Sequence, residues 1–345
     1  MKLKTLFLIL AFILFTKPLF AQSENAGLNL VISPLPIILN STPGATTSAQ
    51  LRVKNGGEAP EILEVGLMKF SAYGDEGQPR LMDREVNDDY FDWVTFSEKE
   101  FTLDPGEWKT ITAYFTVPEN AAFGYYYAVT FQRKNDTGGD TSKATKIVGA
   151  TATLILLEAR VPNAKREIEV LDFSTPRGIY EFLPVKFNVK LKNKGNVHVA
   201  PTGKIFIEKE GQEKLVAKLN INDLGGNILP DSNRIFESEW NDGFPVYKEK
   251  MIDGKVVADS TGKMEYQLKW DLGQITKLRW GKYTATMLLA YDNGERDVPV
   301  EGKLTFWIIP WRLIGGALLI VLLVFRGFYS MLKKPFDRLS KKNKR

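Results

Sequence analysis

The sequence predicts an all-β fold of two tandem β-sandwiches, followed by one C-terminal transmembrane helix. Three observations lead to this prediction. Short β-rich runs are separated by Gly, Pro, Asn and Asp. One series of short sequence motifs occurs twice, and an apolar segment precedes a basic C-terminal tail. Between the two ends of the chain, no run has the 3.6-residue periodicity of an amphipathic helix.

The first segment, residues 1–21, has the pattern of a secretory signal peptide. Lys2 and Lys4 precede an apolar run from Leu6 to Phe15, and the small residue Ala21 lies at the expected cleavage position. An uncleaved signal anchor is the alternative. Both interpretations predict that the middle of the chain is exported.

Residues 22–163 form the first predicted sandwich, distal to the membrane. They contain seven or more short β-rich runs, which is typical of an immunoglobulin-like sandwich. The clearest run ends at the turn Asn55-Gly56-Gly57, and its apolar face consists of Ala49, Leu51 and Val53. Such alternation predicts a half-buried strand.

Residues 164–309 form the second predicted sandwich, with an insertion at 241–263. Three sequence motifs of the first half are repeated in it. Phe187, Val189 and Leu191 alternate before Asn193-Lys194-Gly195, Leu229 to Ser232 matches the turn Leu103 to Gly106, and Gly281 to Tyr291 matches Gly124 to Phe131. Two copies of one immunoglobulin-like plan explain these matches, with a boundary near Pro162.

Residues 310–331 form the predicted transmembrane helix. The thirteen uncharged residues from Leu313 to Phe325 are too few to cross ~30 Å of hydrocarbon. A helix from Pro310 to Met331 reaches ~33 Å. Its flanks carry residues suited to the headgroup layers: Trp311, Arg312 and Arg326.

The tail, residues 332–345, contains seven basic residues, Lys333 and Lys334 among them, and one acid. The positive-inside rule therefore predicts a cytoplasmic tail and an extracellular N-terminal part, in a single-pass protein of the cell membrane.

The positions of the charges argue against a nucleic-acid partner, although the formal net charge is +5. Residues 22–311 contain 34 basic and 40 acidic residues, a net of −6. The positive charge belongs to the signal and the tail, where it sets topology. The chain has no cysteine, which excludes disulfides and thiolate metal sites and favours a bacterial or archaeal envelope.

A series of motifs in residues 28–160 occurs in a familiar order. It runs Ser33-Pro34, Pro43-Gly44, Lys54-Asn55, Phe70, Asp75-Glu76-Gly77, Trp93, Phe101 to Glu107, Val117-Pro118 and Gly124-Tyr125-Tyr126. This order resembles the peptidoglycan-binding, immunoglobulin-like domain of bacterial WxL-interacting proteins. The order of signal, two immunoglobulin-like domains, one C-terminal helix and basic tail is also similar to that family. The resemblance implies an anchored surface protein whose distal domain binds cell-wall polymer.

Catalytic and metal-binding residues are scarce, and we predict no enzyme, no cofactor and no metal site. The one histidine, His198, follows a turn, which predicts an exposed strand-end residue rather than a general base. One histidine without cysteine cannot form a usual zinc site. The acidic loop at 75–89 fits no known calcium loop, and a solvated loop is the favoured interpretation.

Aromatic residues are the better candidates for a binding surface. Trp108 follows a turn, and Tyr125, Tyr126 and Tyr127 are consecutive, so at least one of the three should face away from the core. Trp240, Phe244 and Tyr247 near the insertion are further candidates for exposure.

The predicted function is presentation of tandem immunoglobulin-like domains to cell-wall glycan or to an exported surface protein. A protein-only scaffold or stalk subunit is the alternative, and an ectoenzyme acting on envelope polymer is a minor one. Sugars and protein partners both favour exposed aromatic surfaces.

Overall fold

The computed structural model describes residues 27–134, 150–212, 214–259 and 261–342, with side chains as far as Tyr329. The predicted signal peptide, residues 1–21, lies outside the described residues. The described chain is mostly strand and ends in one long helix, which confirms the predicted β-rich class. The division into two domains, and the boundaries predicted for them, stay predictions.

Two sheets pack face to face in the N-terminal half. The four-stranded sheet has the order β1-β3-β8-β6, and the second sheet has the order β2-β10-β9-β4-β5, with β7 also paired to β4. The strands are β1 (Leu30–Ser33), β2 (Ile37–Ser41), β3 (Thr46–Asn55), β4 (Glu61–Tyr73), β5 (Gln78–Met82), β6 (Val94–Phe96), β7 (Glu100–Leu103), β8 (Trp108–Thr116), β9 (Phe123–Arg133) and β10 (Ala150–Ala159). A 3-10 helix, Asp89–Trp93, precedes β6.

The core of this half forms because inward positions alternate with outward ones along β3 and β8. Leu51 and Val53 of β3 are fully buried, as are Ile111 and Phe115 of β8. They meet buried side chains of β9 and β10 from the second sheet. The alternation predicted for β3 is therefore confirmed.

The C-terminal half repeats this arrangement with a three-stranded sheet, β11-β13-β16, and a five-stranded sheet, β12-β22-β21-β14-β15. Its strands are β11 (Ile168–Ser174), β12 (Ile179–Tyr180), β13 (Val185–Asn193), β14 (Thr202–Lys209), β15 (Leu215–Ile221), β16 (Asn233–Trp240), β21 (Gly281–Asp292) and β22 (Asp297–Ile308). Phe187, Val189 and Leu191 of β13 lie in its core, as their alternation predicts.

An appendage separates β16 from β21. It consists of two short antiparallel pairs and a 3-10 helix, Leu272–Lys277. The pairs are β17 (Val246–Glu249) with β20 (Tyr266–Lys269), and β18 (Met251–Ile252) with β19 (Lys255–Val256). The predicted insertion at 241–263 falls inside this appendage, which extends further along the chain.

In each half, one buried asparagine at the end of a central strand hydrogen-bonds to three backbone groups. Asn55 donates to the Leu103 carbonyl oxygen at 3.0 Å and to the Ala59 carbonyl oxygen at 2.8 Å. Its Oδ1 accepts from the Gly57 amide at 2.8 Å. The side chain thus satisfies two backbone groups of the turn that follows β3 and the carbonyl group at the end of β7.

Asn193 makes the same three bonds in the C-terminal half. It donates to the carbonyl oxygens of Val197 and Ile228 at 2.8 and 2.9 Å, and it accepts from the Gly195 amide at 2.8 Å. Ile228 therefore occupies the place of Leu103, one residue earlier than the predicted match at Leu229. The repeated motifs consequently reflect one repeated hydrogen-bond pattern.

The C-terminal helix, α1 (Trp311–Lys342), begins where the sequence predicts. It continues past the predicted end at Met331, to Lys342. Its segment Trp311–Tyr329 has a mean hydropathy of 1.8 over 19 residues and no buried part. By length and composition, that segment is able to cross a membrane.

We expect Asn55→Ala and Asn193→Ala each to lower the free energy of unfolding by about 2 to 4 kcal/mol, because buried backbone groups lose their partners. Guanidinium denaturation of the full chain in detergent, followed by circular dichroism, measures the change. The matched control is Asn220→Ala, whose exposed amide has one bond, to Asp223 at 3.2 Å. Equal losses in all three variants would contradict this role of the two asparagines.

Candidate binding face

The outward face of β3 and β8 combines aromatic, hydroxyl and amide groups without any carboxylate. These two strands pair along their whole length, with Trp108 opposite Lys54 and Thr110 opposite Arg52. The outward residues, which we call the Trp108 face, are Thr46, Ser48, Gln50, Arg52, Lys54, Trp108, Thr110, Thr112, Tyr114 and Thr116. Its two charged groups are both cations, although residues 22–311 as a whole are acidic.

Trp108 is the exposed aromatic that the sequence predicts at this position. Its side chain is 41% exposed, and the Arg52 guanidinium carbon lies 4.7 Å from its ring centroid. A cation over the ring stabilises its orientation, typically by about 0.5 to 1 kcal/mol at an exposed site. The ring therefore offers a partly fixed surface for stacking.

Tyr114 adds a second exposed aromatic to the same face, at 43% exposure. It lies six residues after Trp108 along β8, which corresponds to ~20 Å at the usual rise of a strand. Tyr114 is not among the residues that the sequence identifies as a candidate binding surface. The even spacing from Trp108 within a predicted strand was the signal, because residues an even number apart share a face.

The three consecutive tyrosines of β9 are placed differently. Tyr125 and Tyr126 are half-buried, and Tyr127 is buried. Tyr127 is fully buried in the first core, so a ligand cannot reach it there. Tyr125 packs edge-on against Trp93, with ring centroids 4.6 Å apart. Tyr126 does face away from that core, as expected for its position. It is covered there by the C-terminal half instead of facing solvent.

Tyr126 belongs to a contact between the two halves. Phe70, Ala128 and Leu156, on the outer face of the second sheet, form an apolar cluster with Leu229 of the C-terminal half. The ring of His198 meets Tyr126 edge-on at 6.0 Å. The sequence could not identify this contact, because alternation gives the face of a side chain but not the element that covers it.

The prediction that His198 is exposed is wrong, since 7% of the residue is accessible. Burial, together with the positive charge of Arg166, lowers the pKa of its imidazole from 6.5 to about 4. Arg166 itself donates to the buried Glu158 at 2.5 Å. A buried imidazole with such a pKa stays neutral at pH 7 and serves packing between the halves.

The acidic loop at 75–89 is also not simply solvated. Asp88 is buried and accepts from Lys69 at 3.0 Å. Asp75 crosses to the C-terminal half, where it accepts from Lys190 at 2.6 Å. That hydrogen bond lowers the pKa of Asp75. Among the described residues, no group of three or more metal-ligating side chains is placed to hold an ion.

A cleft of about 460 Å³ lies beside this contact. Its apolar wall includes Leu35, Phe70, Leu156, Leu224 and Leu229. Two amide groups at the cleft, Nδ2 of Asn227 and Oδ1 of Asn233, are buried and have no hydrogen-bond partner. Both atoms lie behind the wall of the cleft, so the surface that the cleft presents is mainly aliphatic.

The remaining aromatic and anchor candidates are placed as follows. Trp240 and Phe244 are buried, so the expectation that they are exposed is wrong. Trp240 packs against Tyr283 and Phe306 in the C-terminal core, and Phe244 packs against Trp270. Trp311 and Arg326 are exposed on α1. Arg312 Nε lies 3.5 Å from Oε1 of the buried Glu181. Lys333 and Lys334 fall within α1, and their side chains lie outside the described part.

No family model and no curated protein matches the chain. Among solved structures, the class 5 fimbriae chaperone CfaA is 19% identical, over 70% of this chain and 100% of that chain, with a TM-score of 0.34. The YadV chaperone is 12% identical, over 80% and 99%, with a TM-score of 0.32. The Pseudomonas aeruginosa CupB2 chaperone is 10% identical, over 81% and 100%, with a TM-score of 0.30. Likeness at this level carries no argument about what the chain does.

The buried imidazole predicts a defined loss of stability in acid. The unfolded chain binds a proton at His198 below pH 6.5, whereas the folded chain does so only near pH 4. Stability should therefore fall as the pH is lowered through that window, by up to about 3 kcal/mol.

Denaturation midpoints between pH 4 and pH 7.5 measure this loss, with His198→Phe as the reference variant. Because His198 is the one histidine of the chain, the difference between the two curves isolates its titration. Parallel curves across the window would contradict a buried neutral imidazole.

Proposed function

We propose that this chain is a non-enzymatic, single-pass protein of a bacterial envelope that holds cell-wall glycan on the Trp108 face. In this proposal the two pairs of sheets are tandem immunoglobulin-like domains, exported by a cleaved signal peptide and anchored by α1. The proposal also includes membership of the WxL-interacting protein family. The composition of the Trp108 face is the observation that carries the glycan assignment.

Three properties of the Trp108 face support a glycan ligand. Two exposed aromatic rings on one strand suit stacking against a polymer that runs along the sheet. The hydroxyls of several Thr and Ser side chains, together with the Gln50 amide, supply donors and acceptors for sugar hydroxyls. Arg52 and Lys54, without neighbouring acids on the two strands, remove the repulsion that the acidic ectodomain would exert on an anionic wall polymer.

The anchor is supported by the length and the flanks of the apolar part of α1. Nineteen residues, Trp311–Tyr329, rise ~28 Å, close to the ~30 Å of a hydrocarbon core. The basic residues that follow suit a cytoplasmic side, which leaves both pairs of sheets outside.

A binding role agrees with the chemistry of the face better than catalysis does. The one histidine is buried against Tyr126 and its Nδ1 has no hydrogen-bond partner, so it cannot serve a surface nucleophile. The outward residues of β3 and β8 contain no carboxylate pair of the kind that glycoside hydrolysis uses.

A protein partner is the second candidate, and the cleft favours it. An aliphatic side chain of a partner would contact the leucines that line the cleft. An exported surface protein that binds in this way would make the chain a scaffold subunit.

Co-sedimentation of the full chain with purified sacculi tests the glycan assignment. Trp108→Ala should weaken binding by about 1 to 2 kcal/mol, roughly 5- to 30-fold, because it removes the stacking surface. The matched control is Tyr73→Ala, since Tyr73 is 61% exposed and has the guanidinium of Arg80 at 5.8 Å. That variant should bind like the unaltered chain.

Each other result of this experiment has a defined meaning. The scaffold would be favoured if the chain does not bind sacculi and an exported protein co-purifies with it. That co-purification should be lost when Leu229 is substituted. Release of soluble sugar from the sacculi would favour an enzyme. Equal weakening by both substitutions would remove the Trp108 face from the proposal.

Protease added to intact protoplasts tests the topology. A C-terminal tag after Arg345 should survive, while a tag before the first strand should be removed. Digestion of the C-terminal tag would reverse the predicted orientation.

A further inference from the structure

One end of the C-terminal half is fixed in position by the helix that leaves it. β22 ends at Ile308, two residues before Pro310. Gly281, the first residue of β21, pairs with Ile308, and so does Tyr180 of β12. The segment that precedes Gly281 and the segment that follows Tyr180 therefore lie at the same end as the start of α1.

Four of the seven tryptophans of the chain are exposed at this end. Trp270 is 52%, Trp280 60%, Trp307 43% and Trp311 49% exposed. Trp280 directly precedes Gly281, and Trp307 and Trp311 flank the junction of β22 with α1. Exposed tryptophan is unusual on a surface that faces only water, but it is enriched where a protein meets the headgroup layer.

Two aliphatic side chains extend the same surface. Leu272 is 72% and Ile275 58% exposed, and both belong to the 3-10 helix Leu272–Lys277, which buries no residue. This helix is held at the end by its neighbours. The Phe244 amide donates to the Lys277 carbonyl oxygen at 3.0 Å, and the Trp270 ring packs against Phe182 at 6.5 Å.

Basic groups border these apolar side chains, as expected for contact with phospholipid. Lys209 Nζ lies 4.3 Å from the Trp280 ring centroid. Lys277 and Arg279 both pair with Asp242, which leaves a net positive charge in that cluster. Cations beside exposed indole rings match the mixture of phosphate and acyl groups at a bilayer interface.

We propose that this end of the C-terminal half inserts into the headgroup and acyl boundary of the outer leaflet. The inserted surface, named here the helix-side rim, consists of Trp270, Leu272, Ile275, Trp280, Trp307 and Trp311. This inference rests on the proposed membrane anchor, because α1 brings the rim to the bilayer. It adds a second membrane contact that the anchor alone does not require.

The ion pair between Glu181 and Arg312 couples the rim to the helix. Glu181 is 5% exposed at its side chain and also accepts from Tyr247 at 3.4 Å. Arg312 lies in the first turn of α1, so the pair joins the helix to the strand segment after Tyr180. The rim and the helix are therefore positioned as one unit at the interface.

The absence of cysteine allows a direct measurement of depth in the bilayer. Three single-cysteine variants of the full chain would carry a nitroxide label: Ile275→Cys in the rim, Leu318→Cys in α1 and Leu224→Cys as the control. Leu318 is 59% and Leu224 99% exposed, and Ile275 is exposed as well, so none of the labels disturbs a core. Accessibility to oxygen and to an aqueous nickel chelate is then measured in phospholipid vesicles.

We expect the label at 275 to be protected from nickel several-fold more than the label at 224, and to resemble a site 5 to 10 Å below the headgroups. If the label at 318 has the accessibility of a site inside the bilayer while the label at 275 is as accessible to nickel as the label at 224, the anchor is supported and insertion of the rim is refuted. If the label at 318 reads aqueous, the proposed anchor itself fails.

Discussion

A buried asparagine side chain is the constraint on which both halves of this chain depend. A central strand that ends inside a sandwich leaves backbone groups of the following turn without partners, and water cannot reach them. Asn55 and Asn193 each supply two donated bonds and one accepted bond at that point. An apolar side chain supplies neither kind and a serine hydroxyl has only one hydrogen to donate, which explains why the same strand ending is used twice.

The sequence predicts the strands well and the covered surfaces poorly. Alternation in Ala49 to Val53 and in Phe187 to Leu191 identifies core faces, since one face of each strand meets its own sandwich. It cannot tell whether the opposite face meets water or another part of the chain. The burial of Tyr126 and His198 cannot be predicted for this reason, because each covers the other across the contact between the halves.

The Trp108 face could be found only in part. The turn before Trp108 predicts exposure, but a list of aromatic residues gives no information on neighbouring strands. The register of the two strands places Arg52 and Gln50 of β3 beside the outward residues of β8. These side chains, far apart in the sequence, therefore form one continuous surface. The acidic loop shows the converse case, in which local composition suggests solvent while Asp75 pairs with Lys190 more than a hundred residues away.

The hairpin of β4 and β5 has a mechanical consequence. Gly77 in its turn has a φ of +68°, and an added Cβ would come within 2.8 Å of Arg234 Cδ, so the turn fits closely against the C-terminal half. Together with the Asp75 pair and the Tyr126 contact, it resists bending where a single linker would allow it. For an anchored protein, the Trp108 face then stands off from the bilayer at a nearly constant height. Under the proposed function, only polymer strands that pass at that height would be bound, so the spacing between wall and membrane would itself select the ligand.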